Sequence, residues 1–477
     1  MFEDEALPEP TRTELIALVL SQAREIATLK ARMLELERRL GLDSSNSSKP
    51  PSSDGLKRKT KPARVRSLRE ASKRPSGGQP GHKGETLRQT AEPDQVVDHF
   101  PVACRDCGEP LTAVMAQDHV GRQVFDLPEP RPLVVVEHRA HICRCVRCGV
   151  MTRAVFPEGV NAPVQYGTRI AAFAIYLLHY QLLPEDRLVA LMADLFGVRL
   201  AAATIAGMSR SCARRIGGFV QMVRASVASA PVKHMDETGF RIGGKTQWLH
   251  VASTALLTFY RTCSRRGSLL VNVTGVVVHD HWPPYYTMAG VSHALCNAHH
   301  LRELKALIEI EREDWAHRMQ HLLRRACHAA NLARDRDISL TPRLIDMFER
   351  RYDAILTQGL AFHEAQPPLT RPPGRKRGRH TPRRTGHNLI LRLASRKQDA
   401  LRFLHDRAVP FTNNQAEGDI RMMKLRQKIS GGFRSPHGAE DFATIRSFLS
   451  TAKKQGWAII NAISADIPTM TGSLRIA

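Results

Sequence analysis

The sequence predicts a multidomain α+β protein, and three observations predict it. At 477 residues the chain is longer than one ordinary core. A heptad-spaced segment and a pair of Cys-x2-Cys knuckles come before any strand-rich region. Three β-like segments then follow in series, and after them strands alternate with helices. The expected order is a coiled coil (1–43), a basic linker (44–98), a zinc-ribbon-like domain (99–156) and a helical domain (160–230). An α/β domain follows, split across 231–300 and 405–460 by a helical insertion at 301–404, with a C-terminal tail at 461–477.

Lys and Arg number 70 against 46 Asp and Glu, for a formal net charge of +24. That balance favours a polyanionic partner, nucleic acid ahead of an acidic membrane surface. The opening MFEDEALPEP lacks the basic-then-apolar layout of a signal peptide. The longest apolar run, IAAFAIYLL (170–178), is about half a membrane span and ends at His179. A soluble cytoplasmic protein with no membrane partner is expected.

Residues 11–40 carry the cleanest period. Leu15, Val19, Gln22, Ile26, Leu29, Met33, Leu36 and Leu40 alternate spacings of four and three, a coiled-coil seam. Thr11 with Glu14 supplies a capping box. Gln22, the polar seam position, can set register or oligomer state. An amphipathic helix packed on its own protein is the competing reading, but the strict seam is narrower than a globular face and favours a homo-oligomer.

SSNSSKPPSSDG (44–55) cannot form a core. From Lys57 to Lys83 there are ten Lys/Arg against one acid, Glu70, and GGQPGHKG (77–84) closes the segment. Lys57, Arg58, Lys59, Arg64 and Arg66 suit phosphate contacts that carry no sequence information. CRDCG (104–108) and CRCVRCG (143–149) are strong zinc-ribbon signals: each puts two thiols on one tight turn, and four thiolates satisfy tetrahedral zinc. Cys104, Cys107, Cys145 and Cys148 are the expected ligands, with Cys143 a fifth candidate. Such a site is structural, with no open position for catalysis. The intervening VVVEHRAHI (134–142) reads as a strand.

Residues 165–226 read as helical. Within them, 184–216 look like a helix-turn-helix that breaks near Gly197 and is followed by Arg210, Arg214 and Arg215. An ordinary pair of packed helices fits equally well. From 231, VKHMDETGFRI, TQWLHVAST and LLTFYRTC are strands, with Gly243-Gly244 as a hairpin turn. VTGVVVHDHW (273–282) and VSHALCNAHH (291–300) are further strands, the second running into LRELKALIEIER. This order matches the ribonuclease-H-like fold. RPPGRKRGRHTPRR (371–384), with seven Lys/Arg, reads as a loop in the insertion.

Phosphodiester chemistry with two metals needs convergent carboxylates. Asp236 lies on the first strand, with Glu237 pointing to the other face. Asp280 ends the fourth strand, where α/β sheets present ligands. Glu417, in TNNQAEGDIR (412–421), sits in the first turn of a later helix. Each has a local reading: Asp236 before the turn at Gly239, Asp280 capping HWPPYY, Glu417 as a capping acid behind Asn414 or an i,i+4 partner of Arg421. Together, on strands of the right order, they form the ribonuclease-H pattern. His279, His281, His293, His299 and His300 could suggest a transition-metal centre, but they alternate sides and cannot all ligate. Cys296 and His299 form a C-x2-H whose further metal partners the sequence does not identify, so a local packing or hydrogen-bonding role is expected.

The zipper, SSNSSKPPSSDG, GGQPGHKG, the CxxCG pair, HMDETG, VVHDHWPPY, CNAHHLREL, NNQAE and KISGGFRSPHGAEDFATIRSFLSTAKKQG together resemble the DDE transposases of the insertion sequence 66 family, over nearly the whole chain. The resemblance implies that Asp236, Asp280 and Glu417 are catalytic acids binding two magnesium or manganese ions. It implies that water cuts the element end to free a 3′-hydroxyl, which then attacks target DNA. Zinc ribbon, basic linker and helical pair would bind the terminal repeats, with Arg421 and Lys424 added from the last helical region. Two small companion proteins are implied as possible partners, and the C-x2-H is similar to one in other DDE transposase groups. One departure is Gly418, where the family continues NNxAE with Arg. It leaves a second reading open, an end-binding repressor without catalysis.

Overall fold

The computed structural model describes residues 11–42, 46, 88–126, 133–369 and 382–476. Lys57, Arg58, Lys59, Arg64 and Arg66 lie outside the described residues, as do residues 371–381 of the basic loop. The chain divides into two compact units. One takes in Met1–Val65, His138–Ala193 and Val198–Ala477, the other Arg66–Glu137 and Asp194–Gly197. Among the described residues, no helix is long and apolar enough to cross a membrane.

In the first unit, α1 (Arg12–Gly41) begins with the expected reciprocal cap: Thr11 N donates to Glu14 Oε2 at 2.8 Å, and Glu14 N to Thr11 Oγ1 at 3.3 Å. Its apolar seam positions, from Leu15 to Leu40, are between 46% and 86% exposed. Two short strands, β1 (Ile142–Arg144) and β2 (Met151–Arg153), pair antiparallel around the second cysteine knuckle. The strand expected over 134–142 is confined to this last stub. Val134, Val135 and Val136 are exposed, and among the described residues no strand pairs with them, so their β propensity is not realised.

Three helices follow: α2 (Thr168–Ile175), continued by a π turn at Tyr176–Tyr180, then α3 (Glu185–Phe196) and α4 (Ala202–Ser229). The helix break is where the sequence places it, with Gly197 at φ +67. However, α4 is a core helix. Ile216, Val223 and Val227 are fully buried, and each such side chain contributes roughly 1.5–3 kcal/mol. Arg215, one of the cations after the helix-turn-helix-like break, donates to the carbonyls of Ala465 and Ile463, in keeping with the packed-pair reading.

The central sheet has the order β5-β4-β3-β6-β7, formed by β3 (Val232–Ile242), β4 (Lys245–Ser253), β5 (Thr258–Cys263), β6 (Gly275–His279) and β7 (Val291–Leu295). Strands β3, β4 and β5 form an antiparallel meander, and Gly243 and Gly244 close the first hairpin at φ +52 and +81, a pair of left-handed residues as a tight I′ turn demands. β6 and β7 add in parallel. The helical insertion then runs through α5 (Asn297–Ala306), α6 (Asp314–Asp335), α7 (Pro342–Glu364), α8 (Thr385–Ser395) and α9 (Lys397–His405).

The chain returns to the sheet with α10 (Asn414–Ser430) and α11 (Pro436–Gln455). Because side chains alternate along strands, the two sheet faces build different cores. Met235, Ala252 and Phe259 pack with α4 and α11, whereas Phe240, Leu249, Val251 and Tyr260 pack with Ala416, Ile420 and Met423 of α10. Residues 461–477, expected as a tail, include the end of α12 (Ile459–Ser464) and α13 (Ile467–Gly472). Their Ala462, Ile463 and Met470 are buried in the first of these cores.

In the second unit, the first knuckle stands on an antiparallel bridge between Ala103 and Pro110. Gln89 and Thr90 tie its leading segment to Gly121 and Gln123.

Candidate active site

Register brings the first two acids together. β3 pairs in parallel with β6, His234 opposite Val278. Continuing that register by two residues sets Asp236 against Asp280, just past the end of β6. In the same way β6 pairs with β7, His279 opposite Leu295, so that Asp280 and Cys296 leave the sheet side by side. Asp280 Oδ1 accepts from Trp282 N at 2.9 Å, the local turn its neighbours suggest, and Asp236 Oδ1 accepts from Glu237 N at 2.8 Å.

Alternation separates the adjacent acids Asp236 and Glu237. Glu237 points to the opposite face, where Tyr285 Oη donates to it at 2.6 Å and the Arg266 guanidinium lies 2.7 Å away. Arg266 is itself stacked on Trp282, 4.1 Å from the ring centre. Glu237 is thus consumed by a buried network, while Asp236 faces α10. Burial first, and then the neighbouring Glu237, Asp280 and Glu417 charges, push the Asp236 carboxyl up to about 8.

Glu417 arrives from a distant part of the chain on α10, and its placement depends on Asn413. The sequence suggests Asn414 as the cap, but Asn414 is already helical. Asn413 holds the N-cap position and makes no side-chain cap bond. Instead Asn413 Nδ2 donates to the carbonyl of Met235, one residue before Asp236, at 2.7 Å. Its Oδ1 must then accept from His234 Nδ1 at 2.9 Å, which fixes that imidazole's tautomer. Asn413 N donates to Cys296 Sγ at 3.1 Å. One buried side chain therefore pins the start of α10 to β3, and its backbone pins it to the end of β7. Further along, Gln427 Nε2 donates to Gly239 O at 3.2 Å and Tyr260 Oη to Asp419 O at 2.7 Å.

The Glu417 carboxylate does not cap the helix. Its Oε1 lies 3.7 Å from Cys296 Sγ, from His299 Nδ1 and from an Arg302 nitrogen. At about 100° per residue, Glu417, Arg421, Lys424 and Lys428 share one face of α10, beside the face that Ala416, Ile420 and Met423 bury. Arg421, Lys424 and Lys428 are exposed, so a basic stripe runs away from the third acid. An added Cβ at Gly418 would meet nothing within 4 Å, so the missing side chain neither opens nor blocks the site.

The histidine-rich motif serves packing. His279 Nε2 bonds to His293 Nδ1 at 3.0 Å, His281 Nδ1 to Tyr286 Oη at 2.6 Å, and His300 Nδ1 to Asn297 Oδ1 at 3.0 Å. His299 alone of the five reaches one of the acids at ion-pair range. Sequence reasoning misses Asn413, Arg302 and Lys428. Lys428 is legible as the next member of a series spaced four, three and four from Glu417, whereas Asn413 and Arg302 gain meaning only from contacts across the fold.

The two knuckles repeat one geometry, each described in its own unit. Cys104 N donates to Glu109 O at 2.8 Å and Gly108 N to Cys104 O at 3.0 Å. Cys145 N donates to Val150 O at 2.9 Å and Gly149 N to Cys145 O at 2.8 Å. Gly108 and Gly149 have φ +77 and +74, which a side chain would resist. The Cys104 and Cys145 thiols are held below their ordinary value, chiefly by backbone N–H donors of Cys107 and Cys148. Cys143 is exposed on β1.

A sequence model described as Transposase IS66 family matches residues 163–441, more than half of the chain. A second, described as a family of unknown function (DUF6444), matches residues 5–88. The chain is also similar to an uncharacterized protein, y4jO, of Sinorhizobium fredii, at 33% identity over 128 residues, 24% of this chain and 39% of that protein. The chain thus spans about two fifths of that relative's length.

Proposed function

The chain belongs to the IS66 family of transposases, and on that premise we propose that it cleaves the ends of its element to free 3′-hydroxyls and joins them to target DNA, with Asp236, Asp280 and Glu417 as the catalytic acids. The observation that carries the proposal is their convergence. Sheet register and the start of α10 bring a strand acid, a strand-end acid and a helix acid, far apart in sequence, to one end of the sheet, where Asp236, raised to about 8 chiefly by burial, also feels the charges of Asp280 and Glu417. The sheet order, an antiparallel meander extended by parallel strands, supports a ribonuclease-H-like reading of this domain.

The donor set fits hard divalent cations. Asp236, raised to about 8 chiefly by burial, needs a counter-charge to ionise near neutral pH, and oxygen-only ligands suit the magnesium class. When bound, two such ions supply activation of the attacking oxygen and neutralisation of charge at the leaving one. The protein's own share is positioning. Glu237, held by Arg266 and Tyr285, braces β3. Asn413 fixes where α10 begins, and with it Glu417. The attacking oxygen is first that of water and later that of the freed 3′-hydroxyl. In each step one P–O bond forms and one breaks, and no bond to the enzyme is needed.

Arg421, Lys424 and Lys428 offer phosphate contacts leading to the third acid. The knuckle thiols Cys104, Cys107, Cys145 and Cys148 are the proposed ligands of one structural zinc. The exposed seam of α1 is the proposed contact with a second copy. The test is incubation of purified protein with labelled element ends, target DNA and magnesium. Nicked ends followed by joined end–target products are expected. Intact ends despite firm end binding would refute the catalytic assignment, and nicking without joining would reduce the protein to a nuclease.

A further inference from the structure

The sequence leaves the C-x2-H of Cys296 and His299 without a third partner, and the fold supplies one. Cys296 caps α5 and is 1% exposed. His299 follows one turn later, and its Nδ1 is buried with no hydrogen bond. Both atoms lie 3.7 Å from Glu417 Oε1, and one ligand atom from each of the three residues falls within 4.8 Å of the others. Tetrahedral zinc, with bonds of about 2.3 Å to sulfur and about 2.0–2.1 Å to nitrogen or oxygen, sets its ligand atoms roughly 3.4–3.6 Å apart. The two separations from Glu417 have to close by a few tenths of an ångström, and the Cys296–His299 one, at most 4.8 Å, by up to about 1.3 Å, within the reach of side-chain rotation.

The chemistry of the set points the same way. A thiolate and an imidazole prefer zinc-class ions, whereas magnesium prefers carboxylates and water. One thiolate and one carboxylate neutralise a dication, and the N–H that Asn413 gives to Cys296 Sγ is the outer-shell bond such a sulfur takes. Arg302 opposes it, with a guanidinium nitrogen 3.7 Å from the same carboxylate oxygen. Its side chain is 27% exposed, so it can swing to solvent when a cation takes its place. Three protein ligands leave a fourth position for water.

We propose that Cys296, His299 and Glu417 form a second metal site, distinct from the cysteine knuckles, that takes a zinc-class divalent cation. Because Glu417 is also the proposed third catalytic acid, an ion held there withdraws it from magnesium and silences cleavage. The silencing rests on the catalytic reading of Glu417, whereas the binding does not.

The test uses the full chain with Cys104, Cys107, Cys145 and Cys148 changed to Ser, so that the knuckles are out of play. Cobalt(II) titration should give one equivalent bound with a thiolate charge-transfer band. Adding Cys296→Ser should abolish the band. Adding His299→Ala instead should weaken binding by more than the roughly 10–100-fold that loss of an outer-shell partner costs. A thermal melt of each variant identifies any that fail to fold, and the partly exposed His299 keeps one arm informative if the Cys296 variant unfolds. No cobalt uptake, or uptake that neither substitution changes, overturns the site. In the otherwise native chain, cleavage with zinc is compared with cleavage without it at fixed magnesium. The ratio should fall sharply in the native protein and stay near one in His299→Ala. An unchanged ratio in the native protein overturns the silencing. If no variant cleaves under any condition, the cobalt arm still decides the site, and only the catalytic reading falls.

Discussion

The knuckle turns and the acidic cleft are the two proposed cation sites, and their candidate ligands are perturbed in opposite directions. The Cys104 and Cys145 thiols are drawn below their ordinary value by N–H groups of the same turn. The Asp236 carboxyl is pushed up to about 8 by burial and by the other acids. A knuckle brings its own stabilising donors within five residues, so the ligand is prepared before any tertiary contact forms. The cleft assembles like charges from three distant segments, and the rest of the fold must hold them together. A candidate ligand set in one local turn is stable without an ion, whereas a convergent set of acids is not.

The sharpest way to break this contrast is to remove the cleft's charges. Asp236→Asn, Asp280→Asn and Glu417→Gln should each bring end cleavage to background while end binding persists in a gel-shift assay. One variant with near-native cleavage would remove that residue from the site. Asp236→Asn should also stabilise the metal-free protein. Between the ordinary carboxylate value of 3.8 and about 8, the folded chain holds a proton that the unfolded chain has released. Stability is therefore fully present below that window and falls as pH rises through it. Near neutral pH the Asn variant avoids this loss, and its melting temperature should exceed the native one by roughly 2 °C. A lower melting temperature would mean that Asp236 is not destabilised by its surroundings.

Next in size is the scaffold of the cleft. Asn413→Ala breaks the bonds to Met235 and His234 that place the start of α10. A displacement of about 1 Å costs on the order of 10²-fold in rate, so cleavage should fall by about that factor with magnesium binding weakened. If cleavage were unaffected, Asn413 would be ordinary packing. The acid pair also predicts how magnesium and protons compete. Binding requires Asp236 to lose its proton, so below about pH 8 the half-saturating magnesium concentration should rise roughly tenfold per pH unit. A flat dependence would place the ion elsewhere. On the knuckle side, removing the proposed zinc should weaken end binding and leave the melting of the sheet domain in place, since the hydrogen bonds described for Asp236 and Asp280 are local to their own strands.

The same contrast explains what was legible in the sequence. The tight turn at each knuckle, the Gly243-Gly244 hairpin and the Thr11–Glu14 cap are legible because their donors and acceptors sit within a few residues. β3 begins and ends where its sequence says because Pro231 and the glycine pair punctuate it. The failures are tertiary. Val134, Val135 and Val136 have strand propensity and no partner strand among the described residues. Asn414 fits a capping pattern, but the working residue is Asn413, whose partners lie on another strand. Singly, Asp236, Asp280 and Glu417 each have a plausible local role, and only the sheet register and α10 bring them into one cleft.

The smallest effect concerns Gly418, where the family pattern suggests Arg. A helical glycine costs about 1 kcal/mol relative to Ala, and a Cβ here meets nothing within 4 Å. Gly418→Ala should therefore stabilise the protein by up to about 1 kcal/mol, seen as a raised melting temperature with cleavage unaltered. Gly418→Arg adds a question of direction. At about 100° per residue, position 418 points away from the buried face of α10 and lies beyond the Glu417 stripe. If that side meets DNA, the new guanidinium should steepen the salt dependence of end binding by about one phosphate's worth, a slope change near −0.9. An unchanged slope with a raised melting temperature would mean that the side chain absent here serves the helix alone. The basic stripe of Arg421, Lys424 and Lys428 would then be the whole of this helix's phosphate track.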